Sequence, residues 1–213
     1  MSVIDIAVID YGMGNLHSVA SAVARVASPQ TRIKIVQTAT EIDSANRVIF
    51  PGQGAALETM QALQRYELVE AIQKAATSKP FFGICLGLQV LFTHSAENSG
   101  VDTLGILPGQ VEHLRQLIPP TADLKIPHMG WNTVAQTQHP LWQSIQAEAY
   151  FYFDHSYVVQ PQIADMVSGW TTYGIALPMA VAQDNIFAVQ FHPEKSSHAG
   201  LQLIKNFCEW DLS

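Results

Sequence analysis

The stretch Phe81-Phe82-Gly83-Ile84-Cys85-Leu86-Gly87-Leu88-Gln89 decides how the rest of the chain reads. An apolar run suited to a buried strand, Pro80–Ile84, passes straight into a helical pattern, Leu86–Phe92, with no loop residues between them. Glycines stand two positions before and two positions after Cys85. This is the G-x-nucleophile-x-G spacing of a strand–turn–helix elbow, with Cys where Ser is commoner. A turn that tight leaves no room for a side chain at either flank, so glycine there is a steric requirement. The elbow presents its sulfur at the carboxyl edge of a sheet, where open α/β sheets place their sites. The helix start is expected to favour the thiolate and to leave the Leu86 N–H free to hold an oxyanion. A cysteine merely buried in a sharp turn is the competing reading. It loses once both glycines and the strand–helix context are counted.

Outward from the elbow, the first half alternates short apolar runs with helical patterns. Val3–Ile9, Arg32–Val36 and Arg47–Phe50 read as strands, and Leu16–Val26, Ala56–Arg65 and Leu68–Ala76 as helices. Such alternation predicts an α/β fold with a mostly parallel central sheet and helices on both faces. The second half changes character. Leu104–Leu117, broken by Pro108-Gly109, suggests a hairpin, and Ala149–Phe153, Ala164–Thr172, Met179–Ala182 and Ile186–Phe191 read as strands. They predict an antiparallel extension of the same sheet, closed by an amphipathic helix at Ser197–Trp210. No linker-like stretch divides the chain, so residues 1–213 are expected to form one domain.

Of the 213 residues, 48% are hydrophobic and 14% charged, which excludes intrinsic disorder. The net charge of −7 comes with no basic cluster, so nucleic acid is not an expected partner. No run approaches a bilayer span and the start lacks a secretory pattern; two cysteines, Cys85 and Cys208, do not make a disulfide framework. A cytoplasmic chain is the expectation. No H-E-x-x-H or paired C-x-x-C supports a metal. The Asp10-Tyr11-Gly12-Met13-Gly14-Asn15 loop fails as a dinucleotide fingerprint, because His17 stands where the third glycine is needed. No cofactor is expected. Cys208, Met60, Trp142 and Trp210 read as packing residues.

A thiolate nucleophile calls for a base with an orienting partner. Of eight histidines, His192 is the one that ends an apolar strand and is followed two residues later by a carboxylate, Glu194. In extended chain the two side chains share a face, so Glu194 can hold the imidazole. The loop Pro51-Gly52-Gln53-Gly54 ends another strand with little side-chain obstruction, and its N–H groups, around Gly52 and Gln53, could supply a second oxyanion donor beside Leu86.

With these segments in place, the chain resembles the class I (triad) glutamine amidotransferases over essentially its whole length. The resemblance rests on the elbow, on Pro51-Gly52-Gln53-Gly54 and on Gln190-Phe191-His192-Pro193-Glu194-Lys195-Ser196, together with Tyr152-Phe153-Asp154-His155-Ser156-Tyr157. Two further segments, Asp10-Tyr11-Gly12-Met13-Gly14-Asn15 and Pro127-His128-Met129-Gly130-Trp131-Asn132, are similar to one branch, the glutaminase subunits of imidazole glycerol phosphate synthases. The resemblance implies a Cys85–His192–Glu194 triad that hydrolyses glutamine, with the substrate held by Gln89, Glu97, Ser156 and Tyr157. Where the family often carries Val, this chain has Gln53. The branch implies a heterodimer that passes ammonia to a (β/α)8-barrel cyclase subunit, docked on Tyr11, Asn15, Met129, Trp131, Asn132, Tyr152 and Lys195. The alternative is a glutaminase feeding pyridoxal phosphate or anthranilate synthesis. More distant rivals are a cysteine hydrolase of peptides or esters, and a binding subunit without turnover.

Overall fold

Parallel strands covered on both faces need apolar side chains at nearly every position, and the first half of the chain supplies them. In the computed structural model, which describes residues 4–212, four parallel strands come first. They are β1 (Ile4–Ile9), β2 (Ile33–Val36), β3 (Ala45–Gly52) and β4 (Phe81–Cys85). Val3, expected to begin β1, lies outside the described residues. Between the strands run α1 (Leu16–Val26), α2 (Ala39–Ser44), α3 (Ala56–Arg65) and α4 (Val69–Ala76).

The second half adds β5 (His94–Ser95), β6 (Val101–Asp102), β7 (Gly109–His113), β8 (His128–Thr133), β9 (Ala135–Gln136), β10 (Tyr150–His155), β11 (Tyr157–Pro161), β12 (Val167–Tyr173), β13 (Ile175–Gln183) and β14 (Ile186–Val189). The main sheet has the order β2-β1-β3-β4-β14-β13-β12-β9. It is parallel from β2 through β14 and antiparallel beyond. The expected parallel core with an antiparallel extension is therefore the architecture found. β14 returns from late in the chain to lie beside β4, with Val189 opposite Ile84, while Gly52 of β3 lies opposite Cys85. Three strands thus deliver their carboxyl ends to one place.

Side-chain alternation sorts the core into two layers. Ala7, Ile9, Phe50 and Phe81 pack with Ile42, Met60, Leu63 and Ile72 of α2–α4 on one face. On the other, Ile6, Val8, Ile49 and Phe82 pack with Val19 and Val23 of α1 and with Leu203, Ile204 and Phe207 of the C-terminal helix Ser197–Glu209. Phe81 and Phe82 are both fully buried, each contributing ~1.5–3 kcal/mol of apolar burial. Met60, Trp142 and Trp210 are buried packing residues as expected; Cys208 is half-buried against the second layer, and burial pushes its thiol up to about 12.

Several expectations need correction. The Leu104–Leu117 segment is not a hairpin: β7 pairs with β11 and β5, so its partners are distant in sequence. Ala149–Phe153 is a strand, extending to His155, but it pairs with β8 in a separate two-stranded ribbon rather than in the main sheet. Ala164–Met166 is a 3-10 turn that precedes β12. α2 escaped the sequence reading although its capping box was there: Glu41 N–H donates to Thr38 Oγ1 (3.4 Å) and Thr38 Oγ1 to the Glu41 carboxylate (2.8 Å). No described helix is long and apolar enough to cross a membrane.

Candidate active site

β4 ends in the elbow. Cys85 has φ 56° and ψ −110°, a backbone conformation that costs a non-glycine residue ~1–3 kcal/mol and is held only by its surroundings. Close packing supplies that hold. A Cβ on Gly87 would fall inside the Phe50 carbonyl oxygen, and one on Gly83 would lie 2.9 Å from Ala188 Cβ and from the Gly87 carbonyl oxygen. The helix that follows, α5 (Leu86–Gln89), is a single turn instead of the expected Leu86–Phe92. It stops because the next carbonyls are captured elsewhere: Leu104 N–H donates to Val90 O (2.9 Å), and both Ile106 and Leu107 donate to Leu91 O (2.8 Å each). A full helix dipole is therefore not available to the sulfur, and local hydrogen-bond donors take over its role.

His192 enters beside Cys85 from the end of β14. Its backbone is clamped by β10: His192 N–H donates to Tyr152 O (2.9 Å), Tyr152 N–H to Ser196 Oγ (2.9 Å), and Ser196 Oγ–H to His192 O (2.6 Å). Glu194 Oε1 accepts from His192 Nδ1 at 3.0 Å, with both side chains buried. The other carboxylate oxygen, Oε2, is buried without a hydrogen-bond partner among the described residues. Burial opposes charge on the ring, but the Cys85 sulfur and the Glu194 carboxylate outweigh it and raise His192 to about 10. The Glu194 carboxylate thus favours the protonated ring, with Nδ1 committed to it.

A cavity of about 480 Å³ opens over the elbow. It is lined by Cys85, Leu86, Gln89, Glu97, Ser156, Tyr157 and His192, and by Gln53 and Gly54 of the Pro51–Gly54 loop. Of the three residues expected around an oxyanion, Leu86 and Gln53 reach the cavity, while Gly52 is buried beneath it against the elbow, opposite Cys85. Glu97 accepts from the Ala56 N–H at the start of α3 (2.7 Å), and burial holds its carboxyl above the usual range.

Of the residues expected at a docking face, Met129 (61% exposed) and Trp131 (53%) stand clear of the surface on the β8–β10 ribbon. Trp131 faces Tyr152 edge-on at 6.1 Å, and the Lys195 ammonium lies 5.7 Å from the Tyr152 ring. Asn15 and Asn132 are half-buried. Tyr11 does not belong with them. It is 1% exposed, packs edge-on against Phe50 and donates its hydroxyl to Pro51 O (3.2 Å), so it braces the loop from beneath.

Gln190 is the residue the sequence reading passed over. It is wholly buried and its Nε2 lies 3.6 Å from Cys85 Sγ. The signal was present: Gln190, His192 and Glu194 alternate, and the spacing that pairs the last two also places the first.

A family model described as glutamine amidotransferase class-I matches residues 7–210. The chain belongs to the class-I glutamine amidotransferase family. This amidotransferase is 53% identical over 207 residues to the imidazole glycerol phosphate synthase subunit HisH of Hydrogenovibrio crunogenus, covering 97% of this chain and 96% of that one. It is 50% identical to the HisH subunit of Thiobacillus denitrificans, covering 98% and 92%. Among solved structures, one titled glutamine amidotransferase matches with TM-score 0.71 at 19% identity, covering 96% of this chain and 97% of that one. A putative GMP synthase subunit from Thermoplasma acidophilum matches with TM-score 0.69 at 18% identity, covering 98% and 94%. At those identities the structures speak for the fold alone.

Beside the amidotransferase's cavity lies a buried histidine pair. His128 Nδ1 meets His155 Nε2 at 3.0 Å, and His128 is stacked between Phe153 and Tyr173. Burial lowers His128 to about 4 and His155 to about 3, against an ordinary 6.5. Both are therefore neutral when folded, whereas the unfolded chain protonates them below about 6.5. Stability is expected to fall as pH drops from 6.5 towards 4.5, by up to ~1.4 kcal/mol per pH unit for each ring. Carboxylates such as Glu41, held at about 2, enter only below that window. His192 has the opposite sign: its contribution is complete below about 6.5 and is lost as pH rises through about 10. Urea midpoints measured against pH test this, and a flat profile between 6.5 and 4.5 contradicts it.

Proposed function

We propose that this amidotransferase is the glutaminase subunit of an imidazole glycerol phosphate synthase, a single domain that acts in the cytoplasm. The observation that carries the reading is the meeting of Cys85 and His192, more than a hundred residues apart in sequence, at one 480 Å³ cavity, with Glu194 hydrogen-bonded to the imidazole. The Cys85 thiolate attacks the side-chain amide carbon of glutamine. The resulting oxyanion is held by the Leu86 N–H and by a donor from the Gly52–Gly54 loop. The His192 imidazolium gives its proton to the departing nitrogen, and ammonia leaves behind a γ-glutamyl thioester. The neutral imidazole then takes a proton from water, whose attack on the thioester carbonyl expels the Cys85 sulfur, frees glutamate and restores the thiolate–imidazolium pair. Glu194 keeps the ring in one orientation through both halves. Glutamine's α-ammonium suits the acceptors of Glu97 and Gln89, and Ser156 and Tyr157 hold the far end through their backbone.

Ammonia in water at neutral pH is mostly ammonium, which is not a nucleophile. A partner that uses it must receive it directly. The partner proposed is a (β/α)8-barrel cyclase, seated on the β8–β10 ribbon where Met129 and Trp131 offer apolar anchors and Lys195 a flanking cation. Tyr152, paired with Trp131 across the ribbon, lies on the same face; Asn15 and Asn132 are proposed to take part at its margins. Mixed with the cyclase and its phosphoribulosyl nucleotide, the chain is expected to support glutamine-dependent cyclisation as a heterodimer. Trp131→Ala is expected to weaken that complex about tenfold or more by titration, with glutamine hydrolysis retained. Hydrolysis without any binding to the barrel, and binding instead to a synthase for pyridoxal phosphate or anthranilate, overturns the assignment.

A further inference from the structure

Gln190 has no part in the mechanism above, yet its amide is spent entirely inside the protein. Nε2 donates to Cys85 Sγ (3.6 Å), and Oε1 accepts from Gln89 Nε2 (2.9 Å). Gln89 Nε2 also donates to the Tyr157 carbonyl (3.1 Å). A backbone carbonyl can only accept, so this last contact decides which end of the Gln89 amide is nitrogen. The nitrogen of Gln89 then requires the oxygen of Gln190, and only the Gln190 N–H remains for the sulfur.

The same carbonyl sets a second branch. His155 Nδ1 lies 2.8 Å from Tyr157 O and must donate to it. His155 Nε2 therefore accepts from His128 Nδ1, and His128 Nε2 accepts from Asn132 Nδ2 (3.3 Å). Asn132 Nδ2 meets another pure acceptor, Thr172 O, at 3.2 Å. Every donor along the chain finds an acceptor, with both rings neutral.

We infer that Gln190 is a positioning residue for the nucleophile: its amide donates to the Cys85 sulfur, in an orientation dictated through Gln89 by the Tyr157 carbonyl. This rests on Cys85 being the nucleophile. A donor aimed at sulfur favours the thiolate over the thiol and holds it in one rotamer, a duty that the single-turn α5 leaves open. The Tyr157 carbonyl, by the same bond, fixes Gln89 with its oxygen as the end available to glutamine, so the binding residue and the nucleophile are set by one network.

The test is the pH dependence of iodoacetamide alkylation, read at Cys85 by mass spectrometry on the full chain, beside kcat and KM for glutamine. Gln190→Met keeps length and removes the donor; Gln190→Glu keeps an acceptor for Gln89 but turns a carboxyl to the sulfur. The other titratable groups that bear on the sulfur, His192 and Tyr11, are unchanged in both. A hydrogen bond to a charged group is worth roughly tenfold or more in the equilibrium it favours. Both variants are expected to alkylate more slowly at neutral pH by about tenfold or more, with the profile displaced upward by about one pH unit or more and the high-pH plateau unchanged. kcat falls by a similar factor and KM by less than about twofold. Gln89→Met, which frees the Gln190 amide to turn, moves the profile the same way and covers the case in which a Gln190 variant does not fold. An unshifted profile in Gln190→Met overturns the inference. Glutamine turnover in Cys85→Ser would instead remove the nucleophile assignment, a separate outcome.

Discussion

Cys85→Ala is expected to lower glutamine hydrolysis at least ~10⁴-fold in kcat while leaving glutamine binding in place. The sulfur is the one atom at the mouth of the elbow that can form the thioester, and a free thiol elsewhere cannot stand in. Cys208 lies on the helix Ser197–Glu209, half-buried, and is not among the residues that line the cavity. The remaining donors, Leu86 and the Gly52–Gly54 loop, can polarise the amide but have no nucleophile to direct. Glutamate release in a stopped assay and glutamine titration by calorimetry separate chemistry from binding. Turnover within tenfold of the parent would refute the assignment of Cys85.

Gly87→Ala is expected to cost at least ~3 kcal/mol and all of the activity, because its Cβ has nowhere to go. It would occupy the position of the Phe50 carbonyl oxygen, a backbone atom of β3 that cannot swing aside. β3 would have to part from β4, and the Gly52–Cys85 register that joins loop to nucleophile would go with it. Gly105→Ala is the control. That glycine has a positive φ of 63° but open space around it, so only backbone strain of about 1 kcal/mol applies. Urea unfolding of the two variants measures the difference; equal midpoints would mean the close approach at the elbow carries no stability.

The elbow was legible because its demands are local. A strand that ends, a cysteine at positive φ and a helix that begins within one residue leave glycine as the residue that fits at 83 and 87. The pairing of His192 with Glu194 was legible for the same reason, since i and i+2 share a side in extended chain. Tyr11 was misplaced because an aromatic in a glycine-rich loop looks the same in sequence whether it faces solvent or Phe50. The length of α5 was misread because the apolar run continues through Leu91 and Phe92 without a breaker, and what stops the helix is hydrogen bonding from residues 104–107.

What the amino-acid order determined alone was the layered α/β architecture, the glycine-flanked thiol and the pairing of His192 with Glu194. These follow from periodicities of two and 3.6 residues and from sterics within a few positions. The tertiary structure decided which strands are neighbours, and so brought His192 to Cys85 across more than a hundred residues. It also decided which way buried amides point, as at Gln190. Such an amide takes its direction from a carbonyl contributed by another strand, and no local pattern in the chain encodes that partner.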